Sequence, residues 1–363
     1  VAADIRPEKT AALIKRAHSK KVVPRRADAK NIKDLVGAFR DVDIVVNATI
    51  PLLNINVMKA ALKADVHYMD LATGGPKEAT DAPELREQQA LDGAFKKAGL
   101  TALLSMGVDP GCSNIFARHL ADRLDRVDEL LVRDGDNSTV EGYSFAPLFS
   151  PDTLLEECLL PPLVYRSGRF ERLEHLSGGE VYEFPDPVGP LPAYYVDHEE
   201  VETLPVNIKG LRKCDFKYAL GENFVQTLRT LHEIGILGTK PVRVGGVRVV
   251  PKDVLVALLP DPAKLGPKVR GHSCVGVEAR GREAGRRVRR YMYTVASHRD
   301  CYEKHGVTAT AYQTGVPPAI GVEMIARGDI TRTGTFTPEL LDPEPWPEEL
   351  ARRGMAVKVA DLA

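Results

Sequence analysis

Asp109, His198 and Lys217 are the side chains of this 363-residue sequence best placed for acid–base work. Asp109 ends the apolar run Met106-Gly107-Val108 and is followed at once by Pro110-Gly111. A carboxylate held by such a turn can accept a substrate proton, or it can cap a helix starting near Gly111. His198 precedes Glu200 and Glu202. An imidazole among carboxylates suits proton transfer and the holding of an ammonium group, though a solvated surface cluster reads the same way. Lys217 lies in the apolar stretch Phe216 to Leu220. Turned inward it would have the lowered pKa of a catalytic lysine; alternation with Phe216 and Tyr218 could equally turn it to solvent. Arg166 and Arg229 could each grip a carboxylate with two parallel hydrogen bonds, or lie on the surface.

These groups need a scaffold, and the first hundred residues supply one. Short apolar runs (Val1 to Asp4, Lys21 to Val23, Asp43 to Ala48, Val66 to Leu71, Leu100 to Met106) alternate with amphipathic segments (Thr10 to Ser19, Asp28 to Arg40, Asn54 to Ala64, Ala82 to Ala98). That rhythm predicts a Rossmann-like, doubly wound parallel sheet. In such a sheet a dinucleotide binds at the carboxyl ends of the strands. Asp4 there would accept from the adenosine ribose hydroxyls and favour NAD, whereas Arg6 would pair with the 2'-phosphate of NADP. Asp28 stands where an adenine contact falls, or caps its helix. Asn47, Ala48 and Thr49 are small enough for the backbone to approach the pyrophosphate and nicotinamide ribose. No G-x-G occurs in the sequence, so the phosphate-gripping loop and the first strand are expected upstream of Val1, and cofactor binding is expected to be weakened.

The pattern changes near residue 125. Val127 to Arg133, Val164 to Arg172, Tyr182 to Phe184, Lys213 to Tyr218 and a hairpin from Ser273 to Ala296 read as strands with few helices between them. Helices are expected at Pro151 to Glu157 (capped by Ser150), Asn223 to Glu233 and Gln313 to Ala326. The expected division is a dinucleotide-binding domain of residues 1–118 rejoined by 313–345. An α+β domain of 119–312, built on a mostly antiparallel sheet, completes it.

Composition excludes several classes. Lys plus Arg total 49 against 50 for Asp plus Glu, which gives no broad case for nucleic acid or an anionic membrane. The basic run Arg280 to Arg290 straddles a hairpin turn and reads as a solvated tip. Five scattered cysteines fit a reduced cytoplasmic chain. No apolar run is long enough to span a bilayer, and no cluster has metal-ligand spacing.

Several segments are similar to a known family. They are Asp43 to Ala48, His67 to Leu71, Met106 to Asn114, Leu160 to Gly168 and Thr310 to Ala319, followed by Gly328, Gly334 and Pro338-Glu339. In order and spacing they resemble the saccharopine dehydrogenases. The stretch His198 to Pro205 and the Lys217 segment are most similar to the lysine 6-dehydrogenase-like branch. The resemblance implies a homodimer using NAD, with NADP possible, to oxidise the amine carbon of lysine or of a lysine-derived amino acid such as saccharopine. It places Asp70 and Met106 beside the cofactor and the substrate pocket in the second domain. Two other readings stay open: reductive condensation of an aldehyde with an amine, as in carboxynorspermidine dehydrogenases, and a non-catalytic nucleotide-binding paralogue.

Overall fold

The computed structural model describes residues 1–17, 19–73 and 85–362. Its first part alternates as expected: strands Ala2–Asp4, Pro24–Arg26, Ile44–Asn47, His67–Asp70 and Thr101–Leu103 are separated by helices. His18 and the start of the helix expected from Ala82 lie outside the described residues. The part described there is two short helices, Arg86–Gln89 and Asp92–Ala98. The second strand lies three residues later than the pattern placed it, because Lys20 and Lys21 form a turn.

Ile44–Asn47, His67–Asp70 and Thr101–Leu103 pair in parallel, and Gly334–Phe336 returns from the far end of the chain to extend the same sheet. Ala2–Asp4 pairs with Pro24–Arg26, so among the described residues the parallel strands form two sheets. Tyr68, Ala102 and Leu104 bury against Leu35, Met58 and Phe95 on one face. Met69 and Leu103 bury on the other against Phe116 and Ile320. Burial on both faces is why these strands read as unbroken apolar runs.

The second part is built on a nine-stranded sheet whose central members are Arg126–Asp136, Lys213–Ala219, His272–Glu283 and Arg286–Ser297. The first two run parallel and the other pairings are antiparallel. Val164 to Arg172 is two strands, not one. Ser167 and Gly168 adopt φ of 49° and 85°, and the chain turns back on itself. The helix Glu200–Asn207 escaped the sequence pattern because its start is acidic and it contains Pro205. The strand Val357–Asp361 at the sheet edge was also missed. Ser150 caps the helix Pro151–Leu159 as its sequence suggested, accepting from the Thr153 N–H.

Two helices join the parts. Cys112–Ala121 is buried almost all round at its start, with Ile115 and Phe116 fully enclosed. Ala309–Arg327 begins one turn before its apolar periodicity, at the cap Thr308. It crosses the parallel sheet so closely that a Cβ on Gly321 would lie 2.7 Å from Met69 Cε. One core therefore runs through both parts. Among the described residues no helix is long and apolar enough to cross a membrane.

Replacing Phe116 by Ala empties the centre of that shared core and should cost about 3–5 kcal/mol. The sole tryptophan, Trp346, is fully buried in the same cluster, so a lowered urea midpoint in its fluorescence reports the loss.

Candidate active site

The carboxyl ends of the parallel strands are tied by a buried polar network. Asn47 donates to Asn54 Oδ1 (2.7 Å), and its own Oδ1 accepts from the Thr49 hydroxyl (2.7 Å). Asp70 accepts from the Tyr68 hydroxyl (2.8 Å), Gln88 Nε2 (2.7 Å) and the Ser105 N–H (2.6 Å). Burial pushes Asp70 up to about 7 despite those three donors. Asn47 and Asp70 thus fix the loops that follow them. Ala48, Thr49 and Ile50 are the exposed residues. Met106 is buried in the core, its N–H donating to the Asp70 carbonyl.

Next to this edge the Asp109 turn is forced by crowding. A Cβ on Gly111, at φ 135°, would sit 2.0 Å from the Gly107 carbonyl oxygen. Gly111 is the helix N-cap and its N–H donates to Asn114 Oδ1 at 2.9 Å. Asp109 is therefore not the cap. It contacts Asp134, and burial and the nearby Glu200 raise it to about 7 against the opposing pull of His198.

Glu200 is completely buried and clamped from two sides. It accepts from Ser113 Oγ at 2.6 Å and pairs with His198 Nδ1 at 2.5 Å. Burial alone would lower His198, but Glu200, with Glu199 beside it, holds the imidazole well above its usual range. The ring stacks on Phe216 with centroids 3.7 Å apart. His198, Glu199 and Glu200 bring their donor atoms within 4.8 Å of one another, and the proton on the imidazole accounts for that closeness. Asn114 Nδ2 donates to Glu339 Oε2 (2.9 Å), and Glu339 accepts from Asn207 and Thr337.

Other expected site residues lie elsewhere. Lys217 faces away from Phe216 on the opposite side of the sheet. There its Nζ donates to the Gly178 carbonyl (2.6 Å), pairs with Glu180 (3.2 Å) and covers the Tyr195 ring. Arg166 pairs with Glu171 and Tyr195 and lines a separate basic concavity at the far end of the same sheet. Arg229 packs on Tyr194 and donates to the Leu176 carbonyl. Asp4 accepts from the Arg6 N–H at 2.8 Å and lies 3.7 Å from its guanidinium. Asp28 accepts from the Lys30 N–H in the turn before its helix.

The structure adds residues the pattern did not single out. Asp134 and Asp136 continue the strand expected to end at Arg133, and Tyr218 stands opposite Asp134 in the neighbouring strand. Glu199 Oε1 accepts from the Thr73 N–H at 3.2 Å and so links the two parts of the chain. The detectable signal was Asp-Gly-Asp at the end of an apolar strand.

Between Ile50–Leu52 and Ala72–Thr73 on one side and the helix Pro151–Leu159 and His198 to Glu202 on the other lies a cleft of 740 Å³. Six carboxylates line it: Asp152, Glu156, Glu157, Asp197, Glu199 and Glu202. No Lys or Arg does so among the described residues. Thr73 Oγ1 and Ser105 Oγ, buried at the strand ends, have no hydrogen-bond partner among the described residues. With the glycine-lined Asp109 turn and the exposed Ala48 to Ile50 loop, they fit the nicotinamide end of a dinucleotide.

A model of the saccharopine dehydrogenase NADP binding domain matches residues 1–103, and one of the saccharopine dehydrogenase C-terminal domain matches 107–355. The chain belongs to the saccharopine dehydrogenase family. It is similar to carboxynorspermidine synthase of Vibrio cholerae, 31% identical over 354 residues that cover 95% of this chain and 84% of the relative. Carboxyaminopropylagmatine dehydrogenase of Synechocystis is 31% identical over 340 residues, 93% and 85% of the two chains. Saccharopine dehydrogenase of Saccharomyces cerevisiae shares the fold, with a TM-score of 0.73 at 18% identity over 99% of this chain and 93% of that one. So does homospermidine synthase of Legionella pneumophila in complex with NAD, at 0.69 and 14% over 95% and 82%. The chain is an NAD(P)-dependent oxidoreductase of this family.

The raised His198 makes a signed prediction. Its stabilisation is fully present below its unfolded value near 6.5 and is lost as pH rises through the higher folded value. Relative to His198→Asn, the melting temperature of the native protein should therefore fall as pH climbs above about 6.5. A constant difference up to pH 10 would contradict the charged imidazole.

Proposed function

We propose that this chain joins an aldehyde to a diamine or polyamine by NAD(P)H-dependent reductive condensation, giving a carboxylated polyamine. The observation that carries this reading is the cleft. Six carboxylates line it; Lys252 pairs with Asp152 and Glu156, and Arg172 with Asp197, and the carboxylates that remain in excess attract a substrate with several ammonium groups. The names of the relatives, carboxynorspermidine synthase and carboxyaminopropylagmatine dehydrogenase, refer to compounds of that class. Both the condensation and the oxidation of lysine or saccharopine need a group for a substrate carboxylate, so that need does not separate them. Arg166 and Arg229, the candidates for it, lie at the far end of the sheet and against Tyr194.

The chemistry follows from the residues. Glu199 and Glu202 hold a distal ammonium, and the acidic lining orients the reacting amine toward the strand ends. Asp109, near neutrality in its proton affinity, can take the proton that the amine must lose before it attacks the aldehyde carbon. His198, fixed as a cation by Glu200, balances the carboxylates around Asp109 as protons move. Thr73 and Ser105 would hold the nicotinamide end, and the bound reduced cofactor supplies the hydride that converts the imine to an amine. Arg6, exposed beside Asp4, would receive the 2'-phosphate of NADPH.

The deciding assay follows NADPH absorbance with short carboxylated aldehydes plus 1,3-diaminopropane or putrescine. Consumption that requires both partners is expected. Reduction of NAD+ by lysine or saccharopine without such consumption would sink the proposal. Replacing Glu199 and Glu202 together by Gln should raise the KM for diamine about tenfold or more while leaving that for NADPH near its original value. Arg6→Ala should weaken NADPH about tenfold and spare NADH; equal effects on both would remove Arg6 from the cofactor site.

A further inference from the structure

Behind Asp109 the structure holds a line of acids that leads away from the cleft. Asp109 is hydrogen-bonded to Asp134. Asp134 and Asp136 are two apart on one strand and so share the face that carries Leu130 and Val132 into the core. The Tyr218 phenol, opposite Asp134 in the adjacent strand, lies within electrostatic reach of all three carboxyls. Asp136 Oδ2 accepts from His298 Nε2 at 3.0 Å, and its Oδ1 accepts from the Ser138 N–H at 2.7 Å.

His298 is completely buried, and its Nδ1 accepts from the Ala309 N–H at 3.2 Å. That bond fixes the tautomer: the proton sits on Nε2 and points at Asp136. His298 is thus a donor that aims Asp136. The Asp136 side chain is 9% exposed, enough to meet solvent.

Two carboxyl groups in hydrogen-bond contact cannot both be ionised at neutral pH, so one proton is held between them. Burial and the neighbouring carboxylates raise both Asp109 and Asp134, as a buried pair that holds one proton requires. The other charged or titratable groups facing the pair are His198, Glu199 and Glu200 beside the cleft, Cys112 on the following helix, and Tyr218 and Cys274 on neighbouring strands.

We propose that Asp134 and Asp109 share one proton that is delivered to the departing hydroxyl of the condensation, and that Asp136, aimed by His298, returns it from solvent. The inference rests on the condensation reading above. In balanced form, the neutral amine adds to the aldehyde carbon to give a carbinolamine. The shared proton moves to its hydroxyl oxygen, the C–O bond breaks with its electron pair leaving as water, and the nitrogen lone pair forms the C=N bond. That proton replaces the one Asp109 took from the ammonium; hydride addition then leaves a secondary amine that takes one more proton from the pair, and Asp136 resupplies it. Asp136 and His298 are positioning residues, since they act through Asp134.

Three variants test this: Asp134→Asn, Asp136→Asn and His298→Gln, the last keeping a donor of similar reach. Asp134→Asn should lower kcat about a hundredfold or more with the Kd for NADPH unchanged. In Asp136→Asn and His298→Gln, proton return becomes slow. The isotope effect from deuterated NADPH should fall toward one while the solvent isotope effect on kcat grows. Independently of turnover, infrared spectra of the cofactor-free protein at neutral pH should show protonated-carboxyl C=O absorption that Asp134→Asn diminishes, the part from Asp70 remaining. The proposal is overturned if Asp134→Asn keeps kcat within about twofold, or if that absorption is undiminished in the variant. It is also overturned if both isotope effects are unchanged in Asp136→Asn and His298→Gln. If the native protein turns over no aldehyde–amine pair, the condensation reading fails, and the infrared comparison alone then decides whether the pair shares a proton.

Discussion

The ion pair of His198 with Glu200 is the constraint around which the rest of the site is arranged. Glu200 has no contact with water, and a lone carboxylate there would be costly enough to neutralise itself or unfold its surroundings. The protonated imidazole at 2.5 Å and the Ser113 hydroxyl at 2.6 Å supply its partners. Removing either partner leaves a buried charge, a loss of about 3–5 kcal/mol in comparable settings. The pair also binds distant segments together. Ser113 sits on the helix that follows the Asp109 turn, and Asn114 on the same helix reaches Glu339 near the end of the chain. His198 lies flat on Phe216 of the large sheet, and Glu199 holds the Thr73 N–H of the parallel sheet. A charge that must not be left alone thereby fixes the geometry of the cleft.

The strand ends show the same economy with polar groups. Asn47 and Asp70 are buried at adjacent positions in paired strands, and each saturates its hydrogen bonds within the network. Thr73 and Ser105 differ, since their hydroxyls are enclosed and unpartnered among the described residues. Buried polar atoms in native proteins rarely stay unpaired, so on the proposed reading these two are where a bound dinucleotide would add hydrogen bonds. That reading separates residues that build the loops from residues that would meet a ligand, although both kinds are small and polar and stand at strand ends.

Much of this was readable from the sequence, for identifiable reasons. The parallel sheet was legible because strands buried on both faces leave continuous apolar runs, as in Asp43 to Ala48. The Asp109 turn was legible because glycines flank it, and at position 111 only glycine fits. His198 and Glu200 could be read together because they stand two residues apart in sequence. Lys217 was not legible, because a two-residue period does not say which face of a sheet looks at the site. The structure turns Phe216 toward the core and Lys217 toward Tyr195. Asp134 and Asp136 were missed because their importance arises from pairing across the sheet and from His298, 162 residues away from Asp136. The arginines named for a carboxylate lie apart from the cleft for a related reason. Residue type shows what a side chain can bind, and only topology shows where it stands.

The acidic lining has a consequence for how the reaction ends. On the condensation reading, the product carries the amines of its diamine precursor and more bulk in the same cleft, while six carboxylates still surround it. Attraction that speeds capture also slows departure, because the cleft does not distinguish incoming ammonium groups from outgoing ones. Release, not bond formation, would then set the pace at saturating substrate. Added salt, by screening the lining, would slow the enzyme when diamine is scarce and hasten it when diamine is abundant. The chemistry that gives this cleft its substrate would also make the product its own inhibitor.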